Sequence, residues 1–200
     1  MKDKKILIVI VMVFVLLMGG AYILYLSLGS TDAPDQLAVQ QTTPANTEPE
    51  KEDSTSTEST ESKVKAPDFT VYDLDGNAVN LSDYVGKPVV VNFWASWCGP
   101  CQMEMPDFQE KYLELGEDIH FLMVNMTDGS RETVETASQF IADKGYTFPV
   151  FYDTQYSAAI AYGANSLPTT FLSDAEGNVI AHATGSIDGS TLQRGIDMVR

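Results

Sequence analysis

One stretch of this chain combines a strand pattern with a reactive turn: Val89-Val90-Val91-Asn92-Phe93-Trp94-Ala95-Ser96-Trp97-Cys98-Gly99-Pro100-Cys101. Its β-branched and aromatic residues predict a buried strand, and the segment 102–116 that follows predicts a helix. The turn between them carries both cysteines of the chain. The unpaired N–H groups and the dipole at a helix N-terminus favour an anion, so we expect Cys98 to be held partly as the thiolate. The two-residue spacing lets Cys101 reach Cys98 and close a small disulfide ring.

Redox chemistry is the interpretation that best fits this pair of cysteines. A structural disulfide is disfavoured, because so short a loop restrains little of the unfolded chain. A zinc site would need two more ligands, and the chain has only His120 and His182 as further nitrogen ligands. The sequence 97–101 is identical to the active-site sequence of thioredoxin. That resemblance implies a redox-active disulfide between the two cysteines, with three neighbours lining the substrate surface: Trp97, Gly99 and Pro100.

The N-terminal segment has the pattern of a membrane anchor. Residues 6–28 form a run of 23 without charge, and three lysines precede it. As a helix this run is about 34 Å long, enough to cross a bilayer core of about 30 Å. It exceeds the usual signal-peptide core, and no clean Ala-x-Ala site follows. We therefore predict an uncleaved signal anchor over residues 1–28, with a cleaved signal peptide as the alternative. The positive-inside rule places the remainder outside the cytoplasm of a bacterial cell.

A polar linker is predicted between this anchor and one globular domain. Residues 29–65 are rich in Ser, Thr, Glu, Pro and Gln, and residues 42–62 contain no hydrophobic residue larger than Ala45. This composition predicts a disordered tether with a root-mean-square span of about 30–36 Å. Residues 66–200 then form a single domain. It carries 19 acidic and 6 basic residues, a net charge of −13, which argues against nucleic acid as a partner.

Strand and helix patterns alternate along the domain. Segments 69–73 and 78–81 flank Asp75-Gly76 and predict a hairpin. Further strands are predicted at 119–125, 148–152, 169–172 and 179–184, and further helices from the N-cap Ser130 to Gly145, at 156–162 and from near Ser190. This order predicts an α/β fold with a mixed, mainly parallel central sheet and helices on both faces.

The resemblance to known proteins extends over the whole domain. Segments 66–69, 73–76 and 81–87 are similar to the N-terminal hairpin of peroxiredoxins and of ResA/TlpA-type proteins. Peroxiredoxins have a lone peroxidatic cysteine preceded by Thr, whereas this chain has Cys-x-x-Cys followed by Glu104 and Pro106. The helix and strand predicted over 126–152 are absent from thioredoxin. The chain is therefore identified as a member of the ResA/TlpA-like (AhpC/TSA-redoxin) branch, membrane-anchored thiol:disulfide oxidoreductases with a thioredoxin-like fold.

Family membership implies a client site and a mechanism. The segment 167–171, Leu-Pro-Thr-Thr-Phe, matches the cis-proline loop of the family, so Leu167 and Pro168 are expected to face the cysteines and help bind the client. Cys98 is expected to attack a client disulfide and Cys101 to resolve the mixed disulfide. The enzyme would be reduced by a membrane protein of the CcdA or DsbD type, without a cofactor. Gly-Pro stands where many cytochrome-c-maturation members have Glu-Pro, so apocytochrome c and methionine sulfoxide reductase are both candidate clients.

Glu104 is the third predicted catalytic residue. Thioredoxin has a buried aspartate on the strand before its motif, and the matching residue here is Asn92, which cannot take a proton near neutral pH. Glu104 lies about one helical turn after Cys101 on the same face. Burial there would raise its pKa and suit it to act as a general base for Cys101. The alternative is a solvent-facing glutamate in an acidic helix that also carries Asp107, Glu110 and Glu114.

Two rival functions fit parts of the pattern. A copper metallochaperone of the Sco type shares the fold but has Cys-x-x-x-Cys and a histidine ligand, for which only His182 lies late enough. A disulfide-inserting oxidase uses the same dithiol in the opposite direction, and the lack of other cysteines fits either direction. Trp94, within the strand, is expected to pack in the core. His120 and His182 lie in strand patterns, and no metal or acid–base role is expected for either.

Overall fold

The computed structural model describes Met12, residues 37–39 and residues 63–200. The predicted anchor, apart from Met12, and most of the predicted linker therefore lie outside the described residues. Within the described ranges, no helix combines the length and the apolar character that crossing a bilayer requires. Every element described below belongs to the unit formed by residues 36–200.

Strands and helices alternate along this unit. The strands are β1 (Ala38–Val39), β2 (Val64–Lys65), β3 (Thr70–Tyr72), β4 (Ala78–Asn80), β5 (Val89–Trp94), β6 (His120–Asn125), β7 (Val150–Tyr152), β8 (Thr169–Ser173) and β9 (Asn178–Thr184). The helices are α1 (Gly99–Leu115), α2 (Val134–Lys144), α3 (Ser157–Tyr162) and α4 (Gly189–Val199), and Leu81–Tyr84 forms a 3-10 turn.

The strands form one mixed sheet in the order β1-β9-β8-β5-β6-β7-β3-β4, and β2 also pairs with β9. The α/β class with a mixed sheet is as predicted, but the expectation of a mainly parallel sheet was wrong. Among the described strands only β5–β6 and β6–β7 pair in parallel. The helical crossovers α1 and α2 produce those two pairings. The other pairings are antiparallel: the hairpins β3–β4 and β8–β9, β5 with β8, β3 with β7, and both β1 and β2 with β9.

The central strand β5 is buried along its whole length because both faces of the sheet are covered. Side chains alternate across a strand, so Val90 and Trp94 join the core beneath α1, α2 and α4. Val89, Val91 and Phe93 join the second core on the opposite face, which includes residues of α3. Each fully buried side chain of this size contributes about 1.5–3 kcal/mol. The C-terminal end of β5 is thereby fixed, and the cysteine turn follows it directly.

Two helices begin three residues away from their predicted starts. The N-cap of α2 is Thr133, whose Oγ1 accepts a hydrogen bond from the Thr136 N–H at 3.1 Å, and not Ser130. Ser130 instead lies in a turn, where its N–H donates to Asp128 Oδ1 at 2.7 Å. The helix α1 begins at Gly99, three residues earlier than predicted, since a proline is tolerated in the first helical turn.

The described fold also begins before Ala66, where the sequence predicts the domain to start. Both β1 and β2 pair with β9, at Ala181–His182 and at Asn178–Val179 respectively. Leu37, just before β1, is buried and belongs to the core beneath α4. A triplet of apolar residues in a polar stretch has no periodicity to reveal it, so the composition of the segment concealed these contacts.

Candidate active site

The two cysteines lie at the start of α1. Cys98 is the N-cap, and its Sγ accepts a hydrogen bond from the Cys101 N–H at 3.2 Å. The two sulfurs form a disulfide with an S–S distance of 2.11 Å, as the spacing predicts. Cys98 is 5% exposed and Cys101 is fully buried. Solvent therefore reaches only Cys98, and reaches little of it.

Glu104 lies one turn further along α1 and is only 2% exposed, which excludes the solvent-facing alternative. Its Oε1 accepts a hydrogen bond from Asn92 Nδ2 at 2.8 Å, and its Oε2 accepts one from the Ile187 N–H at 3.0 Å. Asn92 Nδ2 also donates to Thr170 Oγ1 at 3.0 Å. Asn92 Oδ1 is buried without a partner among the described residues. Three segments of the fold thus meet at this carboxylate.

The environment of Glu104 raises its pKa from 4.5 to about 7. Burial is the largest cause, because it penalises the charged form, and the negative charge of Asp107 acts in the same direction. The hydrogen bonds from Ile187 and Asn92 oppose the shift, since they stabilise the carboxylate. A carboxyl group with a pKa near neutrality can take or give a proton at physiological pH.

An open groove lies in front of the disulfide. Trp97, Cys98, Gly99, Pro100 and Leu167, which the sequence predicts as client-binding or catalytic residues, all line it. The Leu167–Pro168 peptide bond is cis. Pro168 itself is buried and is not among the residues that line the groove. The other residues of the lining are Met126, Asp128, Arg131, Tyr156, Ala164, Asn165 and Ser166.

Trp97 and Trp94 occupy different environments. Trp97 is 41% exposed, and the Arg131 guanidinium lies over its ring at 3.7 Å from the centroid. A cation stacked on an indole face contributes about 0.5–1 kcal/mol at an exposed site. Trp94 is fully buried and packs against Phe140, as its strand position predicts. Arg131 was not predicted as a residue of the site.

Glu132 is a second residue of the site that the sequence did not reveal. It is fully buried, and its carboxylate binds Ser96 and Asn125 next to the cysteine turn. Glu132 lies in a polar loop before α2, and no spacing relates it to the cysteines. Glutamate is rarely buried without a specific partner, so its burial could be recognised only from the fold.

Neither histidine is among the residues that line the groove. His120 begins β6 and contacts the ring of Tyr84, and burial lowers its pKa. His182 lies in β9 and stacks on Phe171 at 5.5 Å between ring centroids. Among the described residues, no group of three or more His, Cys, Asp or Glu side chains could hold a metal ion. His182 therefore does not form a ligand cluster with the cysteines there.

Comparisons with known proteins agree with this geometry. A model of the AhpC/TSA family matches residues 63–182. The thiol-disulfide oxidoreductase ResA of Geobacillus thermodenitrificans (strain NG80-2) is 37% identical over 136 residues, which cover 68% of this chain and 76% of the relative.

Two solved structures resemble the fold. A DsbF homologue from Corynebacterium diphtheriae has a TM-score of 0.64 at 25% identity, over 84% of this chain and 96% of the other. The pneumococcal exposed lipoprotein thioredoxin Etrx1 from Streptococcus pneumoniae strain TIGR4 has a TM-score of 0.56 at 32% identity, over 65% of this chain and 98% of the other. These likenesses confirm the predicted thioredoxin-like fold.

Proposed function

We propose that this chain reduces disulfides of client proteins outside the cytoplasm. The proposal starts from its family: the chain belongs to the AhpC/TSA family and is a thiol-disulfide oxidoreductase of the ResA type. Cys98 and Cys101 carry the two electrons, and Glu104 takes the proton of the Cys101 thiol. One observation carries the proposal: the disulfide caps α1 with an open groove in front of it and a buried carboxyl group one turn along the helix.

The first step of the proposed reaction joins the enzyme to its client. The Cys98 thiolate attacks one sulfur of a client disulfide, which forms a Cys98–client disulfide, breaks the client disulfide and releases the other client sulfur as a thiolate. Cys98 lies at the N-terminus of α1, and this position favours its thiolate, because the Cys101 N–H and the helix dipole both stabilise negative charge there.

The second step releases the client. The Cys101 thiol gives its proton to the Glu104 carboxylate, and the resulting thiolate attacks Cys98 Sγ. The Cys98–Cys101 disulfide forms, the bond between Cys98 and the client breaks, and the client leaves with its second sulfur reduced. Two electrons have then passed from the enzyme to the client. The raised pKa of Glu104, about 7, suits it to accept this proton near neutral pH.

The groove is the proposed client surface. Trp97, Gly99, Pro100 and Leu167 would contact the client chain, while the buried Pro168 would shape the backbone beneath them. The proposed clients are apocytochrome c and extracytoplasmic methionine sulfoxide reductases, both of which need cysteine pairs kept reduced. A membrane protein of the CcdA or DsbD type is the proposed source of electrons.

The reduction potential tests the proposed direction of electron flow. We expect the Cys98–Cys101 pair, titrated against glutathione buffers and quenched by alkylation, to have a potential below about −250 mV, as a reductase requires. A value near −180 mV or higher would instead indicate a disulfide-inserting oxidase or an isomerase. The Cys98→Ser/Cys101→Ser double variant is the control, because it cannot take up the alkylating reagent at this site.

A protease experiment tests the proposed location. The domains are proposed as a signal anchor over residues 1–28, a linker over 29–65 whose segments β1 and β2 pair with β9, and a catalytic domain over 66–200. The linker and the catalytic domain are proposed to lie outside the cytoplasm. Protease added to intact spheroplasts is expected to release a soluble, active fragment cut between about Gly29 and Lys65, since three lysines before the anchor favour a cytoplasmic N-terminus. Complete protection of the catalytic domain would contradict this orientation.

A further inference from the structure

The loop between β6 and α2 sends a buried carboxylate to the cysteine turn. Glu132 Oε1 accepts hydrogen bonds from the Ser96 N–H at 2.8 Å and from Asn125 Nδ2 at 2.7 Å. Its Oε2 accepts one from Ser96 Oγ at 2.6 Å. Asn125 is itself oriented, because its Oδ1 accepts a hydrogen bond from Thr127 Oγ1 at 2.8 Å. The carboxylate is thus held by three hydrogen bonds, two of them from Ser96.

Ser96 lies two residues before Cys98, within the turn that connects β5 to α1. The Ser96 carbonyl oxygen accepts a hydrogen bond from Gln102 Nε2 at 2.6 Å. The Cys98 N–H donates to the Ala95 carbonyl oxygen at 3.1 Å, which closes the turn. Each backbone and side-chain polar group of Ser96 is therefore held, by Glu132 on one side and by α1 on the other.

The position of this turn decides where Cys98 Sγ lies. The sulfur accepts the Cys101 N–H only while Cys98 stays at the cap of α1, and this contact stabilises the thiolate. Hydrogen bonds to a buried carboxylate are short and about twice as strong as neutral ones, so they hold a turn well. Removing the carboxylate would leave the groups that donate to it without a partner, which lowers the stability of the turn.

We propose that Glu132 is a positioning residue: its buried carboxylate holds the Ser96–Cys98 turn against the start of α1 and thereby sets the reactivity of Cys98. This inference rests on the proposed function only in taking Cys98 as the nucleophile. Glu132 acts through Ser96 and exchanges no proton with the reacting sulfurs.

Alkylation of the reduced full-length protein by iodoacetamide, followed from pH 5 to 9 by mass spectrometry, tests this role without a client. In Glu132→Ala the midpoint of the Cys98 alkylation profile is expected to move upward by about one pH unit, because the turn loses both hydrogen bonds of Ser96 to the carboxylate and the thiolate loses its fixed donor. Glu132→Gln is expected to keep the midpoint close to the wild-type value, since its amide oxygen still accepts the Ser96 N–H. Glu135→Gln, an exposed glutamate at the start of α2, is the matched control and should leave the midpoint unchanged.

Several outcomes would overturn the proposal. One is an unchanged Cys98 midpoint in a Glu132→Ala variant that is less stable than the wild type. Another is a downward shift of that midpoint, which would indicate a through-space effect of charge. The third is a Glu132→Gln variant whose alkylation profile does not return toward that of the wild type. If Glu132→Ala does not fold, Ser96→Ala decides, with an upward shift supporting the proposal and an unchanged midpoint overturning it. Failure of the proposed function would appear elsewhere, as a wild-type enzyme that does not reduce a protein disulfide such as that of insulin.

Discussion

The Cys101→Ser variant is expected to accumulate mixed disulfides between Cys98 and client proteins and to lose multiple-turnover reduction entirely. The first attack needs only the Cys98 thiolate, whereas release of the client needs a second thiolate that serine cannot supply. Cys101 is fully buried, so an external thiol cannot readily take its position. Non-reducing gels and mass spectrometry of the variant purified from its native cells would identify the trapped clients, which a reductant should release.

Cys98→Ser is the matched control for this trapping experiment. It keeps the fully buried Cys101 but removes Cys98, the more exposed of the two cysteines, and we expect it to trap few or no clients. Equal trapping by the two variants would reverse the roles assigned to the cysteines. The identity of the trapped proteins would also separate the two proposed client classes, because apocytochrome c and methionine sulfoxide reductase differ in mass and peptide content.

Local patterns explain why much of the active site could be predicted from the sequence. The β-branched run that ends at Trp94 could be predicted as a buried strand, because β5 is covered on both faces. The Cys-x-x-Cys segment after it is short, so the start of α1 fixes its geometry. Glu104 lies three residues after Cys101, and helical periodicity alone places it on the same face. Its burial was left open by the sequence, and the structure shows that it is buried and accepts a hydrogen bond from Asn92.

Contacts between distant segments account for what the sequence did not reveal. Glu132 binds Ser96, which lies 36 residues away in the sequence, and Arg131 contacts Trp97 over a similar sequence separation. No periodicity therefore links either pair. The N-cap of α2 was misplaced at Ser130 because serine and threonine are both favourable N-cap residues and serine is the more favoured of the two. In the structure Asp128 Oδ1 accepts the N–H groups of Ser130 and Glu132, so these residues form a local turn and the helix begins only after Thr133.

Glu104→Gln is expected to slow release of the client by about 100-fold, the usual contribution of a general base. Glutamine cannot take the Cys101 proton, so the proton must pass to water in the variant. The pH profile of release in the wild type should have a limb near pH 7, where Glu104 ionises, and that limb should disappear in the variant. Stopped-flow measurement of the decay of a preformed Cys98 mixed disulfide gives this rate directly.

The same substitution should change how stability depends on pH, with a sign opposite to that of an ion-paired carboxylate. The pKa of Glu104 is about 7 in the folded protein against an ordinary value of 4.5. Below pH 4.5 the group is protonated in both states and contributes no difference. Between these values the unfolded chain ionises first, so the folded state loses about 3 kcal/mol as the pH rises, and above pH 7 the loss is constant. Chemical denaturation should show this slope in the wild type and not in Glu104→Gln.

Glutamine fits the site, so the variant separates proton transfer from folding. Its amide oxygen can accept the Ile187 N–H, and its amide nitrogen can donate to Asn92 Oδ1, which has no partner among the described residues. That exchange needs only a flip of the Asn92 amide, after which Thr170 can donate where it now accepts. Glu110→Gln, at an exposed position of α1, is the matched control and should change neither release nor the pH profile. If Glu104→Gln matched this control in both measurements, the buried carboxyl group would have no part in resolving the mixed disulfide.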